Sequence, residues 1–340
     1  MTDQWTIDPE AAAAALDRLR QARVVLMPTH QNVDADGLSS PLAMRHALAA
    51  FGVEAYPLIT DGDFPSNLKF LPGSDAVLVY GRDELPDYDT LCLIDCADRR
   101  RLGAFAKDDP SRLDGSVPIV NIDHHKTNDR FGVVNIVEPE ASSAGEIVAE
   151  VFKLWNIELT PDIAKCLLAG IYGDTLGLRT PSTTPHTIRT VADLVDAGGE
   201  LEPVVDWLFR LKPRSTLCLW GHALERIRWN GPIIWTEMTR RGFRECGAEM
   251  AEAEGIVNFL SGTQGSRAAV ILYQDEDERG WRVSFRSLEK AVDVSAIAGH
   301  FGGGGHPLAA GCHLEGGQAE KEAFIAKVAD LVAAAPVAAG

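Results

Sequence analysis

Short apolar runs separated by helical patterns dominate the first half of the chain. Four runs rich in Val, Ile and Leu are RVVLMP (23–28), AVLVYG (76–81), TLCLID (90–95) and PIVNID (118–123). Such runs are typical of strands that are buried on both faces of a parallel sheet. Between them, GLSSPLAMRHALAAFG has apolar residues at helical spacing and ends in Gly52, a plausible helix C-cap. This half is therefore predicted to be an α/β domain with a mainly parallel sheet flanked by helices.

Two further helices are predicted after the last of these strands. They are SAGEIVAEVFKLW and PDIAKCLLAGIYGDTLG, and the second has Thr160 as its N-cap and Pro161 in its first turn. The pattern then loosens into Gly, Pro and charged residues in DAGGELEP and LKPRS. We place a linker there, at residues 196–214, after an N-terminal domain at residues 1–195.

The second half, residues 215–340, has a different pattern. PIIWTEMT, RAAVILYQ and WRVSFRS are predicted strands, and the acidic turn DEDERG between the last two indicates a hairpin. Helices are expected at 249–260 and 319–334. Trp281 and Phe285 alternate within one predicted strand, which favours a place in the core over base stacking. The pattern predicts a smaller α/β domain with a mixed sheet.

Composition restricts the partners and the location of the chain. Thirty-two Lys and Arg stand against 49 Asp and Glu, a net charge of −17, which opposes stable binding to long or duplex nucleic acid. A small phosphorylated substrate is compatible with this charge. No segment approaches the roughly 20 apolar residues of a membrane span, and the acidic start lacks an export signal. We expect no membrane association and a cytoplasmic location. The six cysteines are scattered without a CxxC pair, so we expect reduced thiols, mostly in the core.

Polar side chains follow several of the apolar runs directly. In open α/β sheets, ligands bind outside the carboxyl ends of the strands, so these residues are candidates for one site. They are Asp and His residues without a thiol, a donor set that suits Mn²⁺ or Mg²⁺ better than structural zinc. The candidates are His30, Asp34, Asp36, Asp95, Asp123, His124, His125 and Asp174.

Each candidate also has a purely structural interpretation. Asp34 or Asp36 alone would serve as the N-cap of the following helix, Asp95 could cap ADRRRLGAF, and His46 is expected to be surface or core. The whole set at one sheet edge is harder to explain without cations, since several uncompensated carboxylates would repel one another.

Four segments together resemble the motifs of a known family. HQNVDADG, LIDCAD, NIDHHKTN and GIYGDTLGLRTP are similar, in order and spacing, to the four motifs of the DHH phosphoesterase superfamily. The C-terminal FGGGGHPLAAG resembles the glycine-rich motif of its DHHA1 domain. Within the superfamily, the chain looks most like the short NrnA-type enzymes, which are oligoribonucleases and 3′-phosphoadenosine 5′-phosphate (pAp) phosphatases. One departure is Asn-Val-Asp-Ala-Asp at 32–36, where many members have Asn-Pro-Asp-Gly-Asp.

The resemblance implies a two-metal centre in the N-terminal domain. It implies that His30, Asp34 and Asp95 hold one cation, and that Asp36, Asp95, His124 and Asp174 hold a second one, with Asp95 bridging. Mn²⁺ is the preferred ion and Mg²⁺ the alternative. His125 would act on the substrate phosphate or the leaving oxygen, and Asp123 would orient an imidazole.

The resemblance also implies substrate binding by the C-terminal domain. Backbone amides of Gly303, Gly304 and Gly305, with His306, would bind phosphate oxygens, and Arg286 would bind a terminal phosphate. The structural alternatives are a simple flexible turn for the glycines and a solvated surface residue for Arg286. Arg179, close in sequence to Asp174, is a weaker candidate for binding the scissile phosphate.

These features predict a manganese-dependent phosphoesterase. It would release mononucleotides from very short oligonucleotides and could also hydrolyse pAp, and the family is compatible with a homodimer. The alternatives are a RecJ-type exonuclease for long single strands, a family II pyrophosphatase, or a non-catalytic nucleotide-binding regulator. A pyrophosphatase should lack the DHHA1 motif, and a long-strand exonuclease should have a more basic surface and further nucleic-acid-binding domains.

Overall fold

The chain folds into two compact units in a computed structural model. The structure describes residues 5–253 and 255–336. The units are Met1–Leu211 and Lys212–Gly340, and each is described by itself. Within the described residues, no helix is both long enough and apolar enough to span a bilayer.

The N-terminal unit contains a six-stranded parallel sheet. Its strand order is β3-β2-β1-β4-β5-β6, and every neighbouring pair is parallel. The strands are β1 (Val24–Pro28), β2 (Glu54–Ile59), β3 (Leu78–Val79), β4 (Thr90–Ile94), β5 (Ile119–Asp123) and β6 (Val134–Val137). The helices are α1 (Pro9–Arg20), α2 (Ala35–Ala49), α3 (Gly103–Asp108), α4 (Ala144–Leu154), α5 (Pro161–Asp174), α6 (Pro185–Asp196) and α7 (Leu201–Val205).

The central strands are buried on both faces, as their apolar sequences predict. Every residue of β1, β4 and β5 is buried. Val25 and Met27 face a large core that includes α2, α4 and α5, whereas Leu26 faces a smaller core with Phe105 of α3. Layers of helices on both faces therefore hold the sheet and fix where its strands end.

Two strands of this sheet were not predicted, and one predicted strand is very short. The run 76–81 contributes only the two residues of β3 at the sheet edge. Strand β2 contains Pro57, which normally argues against a strand, and β6 has only four residues. The predicted N-cap of helix α5 is confirmed: the side chain of Thr160 accepts a hydrogen bond from the Ile163 amide.

The segment predicted as a linker, 196–214, is largely helical. It contains α7 and one π-helical turn, Asp206–Arg210. Val204 is fully buried in the core of the N-terminal unit, and the division between the units falls after Leu211. Gly and Pro in this segment thus separate short helices that pack on the first unit.

The C-terminal unit contains a mixed sheet, as predicted, and this sheet has six strands in the order β11-β12-β10-β9-β8-β7. Among the described strands of this sheet, β8 and β9 pair in parallel and the other neighbours pair antiparallel. The strands are β7 (Arg228–Asn230), β8 (Ile233–Met238), β9 (Ala268–Gln274), β10 (Gly280–Arg286), β11 (Gly304–His306) and β12 (Ala309–Glu315). The helices are α8 (Arg214–Glu225), α9 (Arg240–Cys246), α10 (Ile256–Ser261), α11 (Val294–Gly299) and α12 (Gln318–Ala334).

Helices cover the two faces of this sheet unequally. One core joins β10 and β12 to α11 and α12, and it contains Trp281 and Phe285, as their alternation predicts. The other core joins β8 and β9 to α8, α9 and α10. On this second face, side chains of β10 and β12 line an open cavity that is described below.

The prediction that all six cysteines are reduced thiols is wrong for two of them. Cys218 and Cys246 form a disulfide, with their Cα atoms 5.6 Å apart and a sequence separation of 28. The pair lies on two different helices, so no short Cys spacing reveals it. The other cysteines are buried free thiols, namely Cys92, Cys96, Cys166 and Cys312.

Candidate metal centre

Acids and imidazoles gather at one edge of the N-terminal sheet. Strands β1, β4 and β5 are neighbours, and they end next to His30, Asp95 and Asp123. Helix α2 adds Asp34 at its N-cap and Asp36 in its first turn. Asp174, the last residue of α5, and His124, just after β5, complete the group. The eight side chains that the sequence singles out in this domain thus form adjoining clusters.

Asp95 lies between two sets of these side chains. Its Oδ2 is 3.4 Å from Nε2 of His30, and its Oδ1 is 3.4 Å from Nε2 of His124. The residue adopts a φ of +60°, which is uncommon for a residue other than glycine. Each oxygen of one buried carboxylate therefore faces a different imidazole.

Each imidazole also faces another acid. Nε2 of His30 is 3.7 Å from Oδ1 of Asp34, and Nε2 of His124 is 3.2 Å from Oδ2 of Asp174. Two sets of three side chains each bring one donor atom per residue within 4.8 Å of the others. The first set is Asp36, His124 and Asp174, and the second is His30, Asp34 and Asp95. These two clusters are triads, and Asp95 belongs to one and adjoins the other. A third cluster joins Asp95 and His124 to Asp123 and His125.

The donor set fits a bound divalent cation. The buried atoms His30 Nε2 and Asp95 Oδ1 have no hydrogen-bond partner among the described residues. Nδ1 of His30 lies 2.9 Å from the Gln31 carbonyl oxygen and 3.2 Å from Nη2 of Arg101, and Nε2 is the nitrogen that faces the acids. Several of the separations are long for hydrogen bonds, but they resemble the spacing of roughly 3 Å between donors that bind one ion at about 2.1 Å.

The acids strongly favour protonated imidazoles when no cation is present. Burial works against the charge on His30, but the nearby carboxylates of Asp34 and Asp95 outweigh it and raise its pKa to about 10. The pKa of His124 is raised in the same way, to about 11, because Asp174 and Asp95 overcome the effect of burial. Without a cation, we therefore expect the imidazoles of His30 and His124 to be protonated at neutral pH.

The pKa values of the carboxylates are shifted in opposite directions by their environments. Burial raises the pKa of Asp174 to about 6 and also raises that of Asp36, and neighbouring acids add to both shifts. Burial would raise the pKa of Asp95 too, but His124 and His30 outweigh it and hold that pKa well below its usual range. Strong shifts in a group of contacting residues are typical of functional sites.

Asp36 is held by backbone amides of a segment that lies more than a hundred residues away in sequence. Its two oxygens accept hydrogen bonds from the amides of Ala144 (2.6 Å) and Gly145 (2.9 Å) at the start of α4. The Ser40 hydroxyl donates a third bond of 2.8 Å. The one sequence signal is the run of small residues SSAG, which lets the start of α4 approach a buried carboxylate.

Asp123 orients His125 and is itself held in place. Its Oδ1 accepts a 2.8 Å hydrogen bond from Nδ1 of His125 and another of 2.8 Å from the His124 amide. Its Oδ2 accepts a hydrogen bond from Nδ2 of Asn128 at 2.6 Å. Asn128 lies in the NIDHHKTN motif, but no local pattern marks it as a partner of Asp123. This arrangement leaves Nε2 of the half-exposed His125 as the nitrogen that can act on another molecule.

The structural interpretations apply to some of these residues. Asp34 is indeed the N-cap of α2, since its Oδ1 accepts a hydrogen bond from the Gly37 amide at 3.0 Å. Asp98, not Asp95, caps the following 3₁₀ turn. Arg179 is exposed, and its Nε donates to the Leu176 carbonyl oxygen at 2.6 Å. Asp34 therefore combines a capping role with a place in the cluster.

In the C-terminal unit, Arg286 lines an open cavity of about 820 Å³. Arg282, Ser284 and His313 line it as well. The Arg286 side chain donates to Oδ1 of Asn258 at 2.9 Å. The cavity is therefore polar, and its lining combines two arginines with one acid, Asp275, which lies 2.7 Å from Nε2 of His313.

The glycine-rich motif forms the edge strand β11. A Cβ on Gly303 would lie 2.2 Å from the Gly311 carbonyl oxygen, and Gly305 has a φ of +144°. These glycines thus let β11 lie close against β12. His306 pairs with Ala309, which pairs in turn with Arg286, so His306 and Arg286 share one face of the sheet at roughly two strand spacings, about 10 Å.

Comparisons with known proteins agree with this architecture and identify the family. Residues 24–171 match the DHH family, N-terminal domain, and residues 233–334 match the DHHA1 domain. The chain belongs to the DHH phosphoesterase superfamily, a class of metal-dependent hydrolases. The second half of the chain contains a DHHA1 domain.

Its relatives include enzymes of the NrnA type. The chain is 33% identical over 302 residues to the bifunctional oligoribonuclease and PAP phosphatase NrnA of Thermus thermophilus, covering 86% of this chain and 84% of the relative. It is 26% identical to the Bacillus subtilis protein of the same name, covering 85% and 89%. An exopolyphosphatase-related protein from Bacteroides fragilis shares the fold, with a TM-score of 0.86, 21% identity, and coverage of 96% and 97%.

Proposed function

We propose that this chain is a Mn²⁺-dependent phosphodiesterase that hydrolyses very short oligonucleotides to mononucleotides and also converts pAp to AMP and phosphate. The names of the Thermus thermophilus and Bacillus subtilis relatives, which match most of the chain, support the substrate class. The observation that carries the proposal is Asp95, whose two oxygens face the imidazoles of two separate triads. This arrangement is suited to a carboxylate that bridges two cations.

We propose that the two triads hold the cations. His30, Asp34 and Asp95 would hold one, and the other would be held by Asp36, Asp95, His124 and Asp174. Imidazole with carboxylate suits Mn²⁺, and Mg²⁺ is the alternative for the same oxygens. When bound, a cation pair supplies Lewis-acid activation of a shared water and neutralises charge on the phosphate.

His125 is the proposed proton donor to the leaving oxygen. Asp123 accepts the hydrogen bond from Nδ1 of His125 and so holds the ring in one orientation. The ring is about one third exposed, so Nε2 is accessible to a bound phosphoester. A donor placed in this way lowers the barrier to release of the nucleotide alcohol.

The C-terminal domain is proposed to bind the end of the substrate. Arg286 and His306 lie on one face of the sheet, and with the amides of Gly303, Gly304 and Gly305 they would bind a terminal phosphate. Arg179 is proposed to contact the phosphate that is cleaved. A substrate that is held by its end is positioned best when it is short, so this binding mode selects for length.

The test compares four substrates in parallel. They are 5′-phosphorylated diadenylate, a 24-mer, pAp and pyrophosphate, each with Mn²⁺, with Mg²⁺ or with a chelator. We expect AMP from the dinucleotide and from pAp with Mn²⁺, and little product from the other two substrates. Asp95→Ala is the inactive control, because it removes the carboxylate that faces both triads.

Other outcomes would change the assignment. Faster hydrolysis of the 24-mer would indicate a long-strand exonuclease, and rapid hydrolysis of pyrophosphate would indicate a pyrophosphatase. No hydrolysis of any substrate would favour a nucleotide-binding regulator. Full Mn²⁺-dependent activity in Asp95→Ala would contradict the proposed role of that residue.

A further inference from the structure

A second group of potential metal donors lies in the C-terminal unit and has no part in the proposed phosphoesterase chemistry. It consists of Cys218, His222 and Cys246, which we call the thiol cluster. One donor atom from each of these residues lies within 4.8 Å of the others, and His222 and Cys246 are half-buried. Cys218 and Cys246 are bonded to each other as a disulfide in the structure.

The cluster is assembled by two helices. Cys218 and His222 are four residues apart on α8, so they share one face of that helix. Cys246 is the last residue of α9, and Gly247 follows it in the left-handed conformation that ends the helix. Leu219 and Phe243, from the same two helices, are buried in one core, which holds the helices together. The three donors are therefore brought together by packing.

A disulfide explains only two of the three donors. The Nε2 atom of His222 faces Oε2 of Glu245 at 3.8 Å, which is too long for a hydrogen bond. Glu245 is itself held by Nε of Arg241 at 2.7 Å. His222 therefore makes no hydrogen bond to Glu245, and its imidazole lies close to the two sulfurs.

The chemistry of the donors identifies the class of that ligand. Thiolate and imidazole are the donors of zinc and other soft or borderline cations, whereas the N-terminal centre offers imidazole and carboxylate oxygen. The sequence indicates a cytoplasmic location, where thiol pairs are normally kept reduced. Three protein donors leave one position of a tetrahedron for water or for Glu245.

We propose that the reduced thiol cluster binds one zinc-like cation through Cys218, His222 and Cys246, and so joins α8 to α9. A phosphine reductant opens the disulfide: the phosphine takes oxygen from water and is oxidised, and the sulfurs accept two electrons and two protons. The cation then binds the two thiolates and His222, and the thiol protons pass to the solvent. The absence of a CxxC motif hides this site from a search of the sequence.

Cobalt titration of the full chain tests the proposal. The protein is reduced with phosphine under argon and titrated with Co²⁺, and the thiolate-to-cobalt charge-transfer band is recorded. This band requires sulfur ligands, so cobalt bound by the acids and imidazoles of the N-terminal centre does not produce it. We expect the intensity of this band to saturate when each chain holds one cobalt ion at the thiol cluster. The band should disappear when zinc is added.

Variants distinguish cobalt that is bound at the thiol cluster from cobalt that is bound elsewhere in the chain. We expect Cys218→Ser and Cys246→Ser to lose the band, and His222→Ala to weaken cobalt binding at this site by about tenfold or more. Cys312→Ser, which removes a buried thiol of the same unit, should keep the band. Asp95→Asn should also keep it, because that residue belongs to the other centre.

The proposal fails if the reduced wild-type chain shows no charge-transfer band, or if the band survives in Cys218→Ser. Circular dichroism of each variant shows whether it folds. His222→Ala keeps both cysteines, so unchanged cobalt affinity in this variant would also overturn the three-donor site, even if the serine variants do not fold.

Discussion

Gly170 on α5 lies directly against the carboxylate of Asp36 on α2. A Cβ built on Gly170 would be only 2.4 Å from Oδ1 of Asp36 and 3.0 Å from Oγ of Ser39. The acid is fully buried and also bonded to the start of α4, so it has no room to move away. The missing side chain at position 170 therefore sets the position of a proposed metal ligand.

The first prediction concerns Gly170→Ala. The added methyl group should displace the carboxylate of Asp36 and lower both Mn²⁺ affinity and phosphodiesterase activity, by about ten- to a hundredfold. Mn²⁺ binding by calorimetry and hydrolysis of the dinucleotide measure the two effects. Gly221→Ala is the matched control: it makes the same change within helix α8, where a Cβ would meet nothing within 4 Å. Equal Mn²⁺ affinity and equal activity in the two variants would contradict the proposed displacement of the Asp36 carboxylate.

The second prediction separates the proton donor from the metal ligands. His125→Ala should lower kcat by about a hundredfold or more, since general acid catalysis contributes on that scale, while the bound Mn²⁺ stays unchanged. Asp123→Asn should lower kcat as well, because Nδ1 of His125 loses its carboxylate partner. Metal analysis of each purified variant is the deciding measurement. A His125→Ala protein without metal would make that residue a ligand.

The third prediction concerns protons that are displaced by the cation. The pKa values of His30 and His124, about 10 and 11, keep both rings protonated at neutral pH in the metal-free protein. Loading both sites must release these two protons, so overall Mn²⁺ affinity should rise with pH by up to about a hundredfold per unit. Below the Asp174 pKa of about 6, an additional proton must leave and binding should weaken further.

Titration calorimetry in two buffers of different protonation enthalpy measures this proton release directly. The observed heats should differ between the buffers in proportion to the number of protons released. Identical heats in both buffers, or an affinity that does not change from neutral pH to about pH 9, would show that the imidazoles hold no protons before the cation arrives.

The fourth prediction concerns substrate affinity. Arg286→Ala should raise KM for the dinucleotide by about tenfold or more, because a charged hydrogen bond to phosphate is lost, with a smaller effect on kcat. Arg286→Lys should restore the affinity only partly, since a point charge replaces the planar guanidinium. Arg244→Ala is the control, as its exposed ion pair with Glu278 lies outside the proposed site. An unchanged KM in Arg286→Ala would contradict the role of this cavity.

Residues at strand ends were the most predictable part of the fold and of the candidate site. His30, Asp95 and Asp123 follow apolar runs that form adjacent parallel strands, so their proximity follows from sheet topology alone. Strand β2 was missed because Pro57 interrupts its pattern, although the strand pairs with β1 along its length. Local sequence rules therefore located the edge of the sheet but not all of its strands.

Contacts between distant segments were not predictable in this way. The amides of Ala144 and Gly145 reach Asp36 across more than a hundred residues of sequence. Cys218 and Cys246 meet because α8 and α9 share a core, and neither residue carries a local signal of the other. Such contacts depend on how whole helices pack, which no short motif encodes.

The hydrogen bonds of Asp36 also bear on the order in which the mature protein is assembled. Two backbone amides and the Ser40 hydroxyl already satisfy this buried acid, so the fold does not depend on a cation to tolerate it there. In small zinc domains, by contrast, the chain stays unfolded until its metal arrives. We expect this chain to fold first and bind its cations afterwards, so that the ions can leave and be replaced without unfolding of the chain.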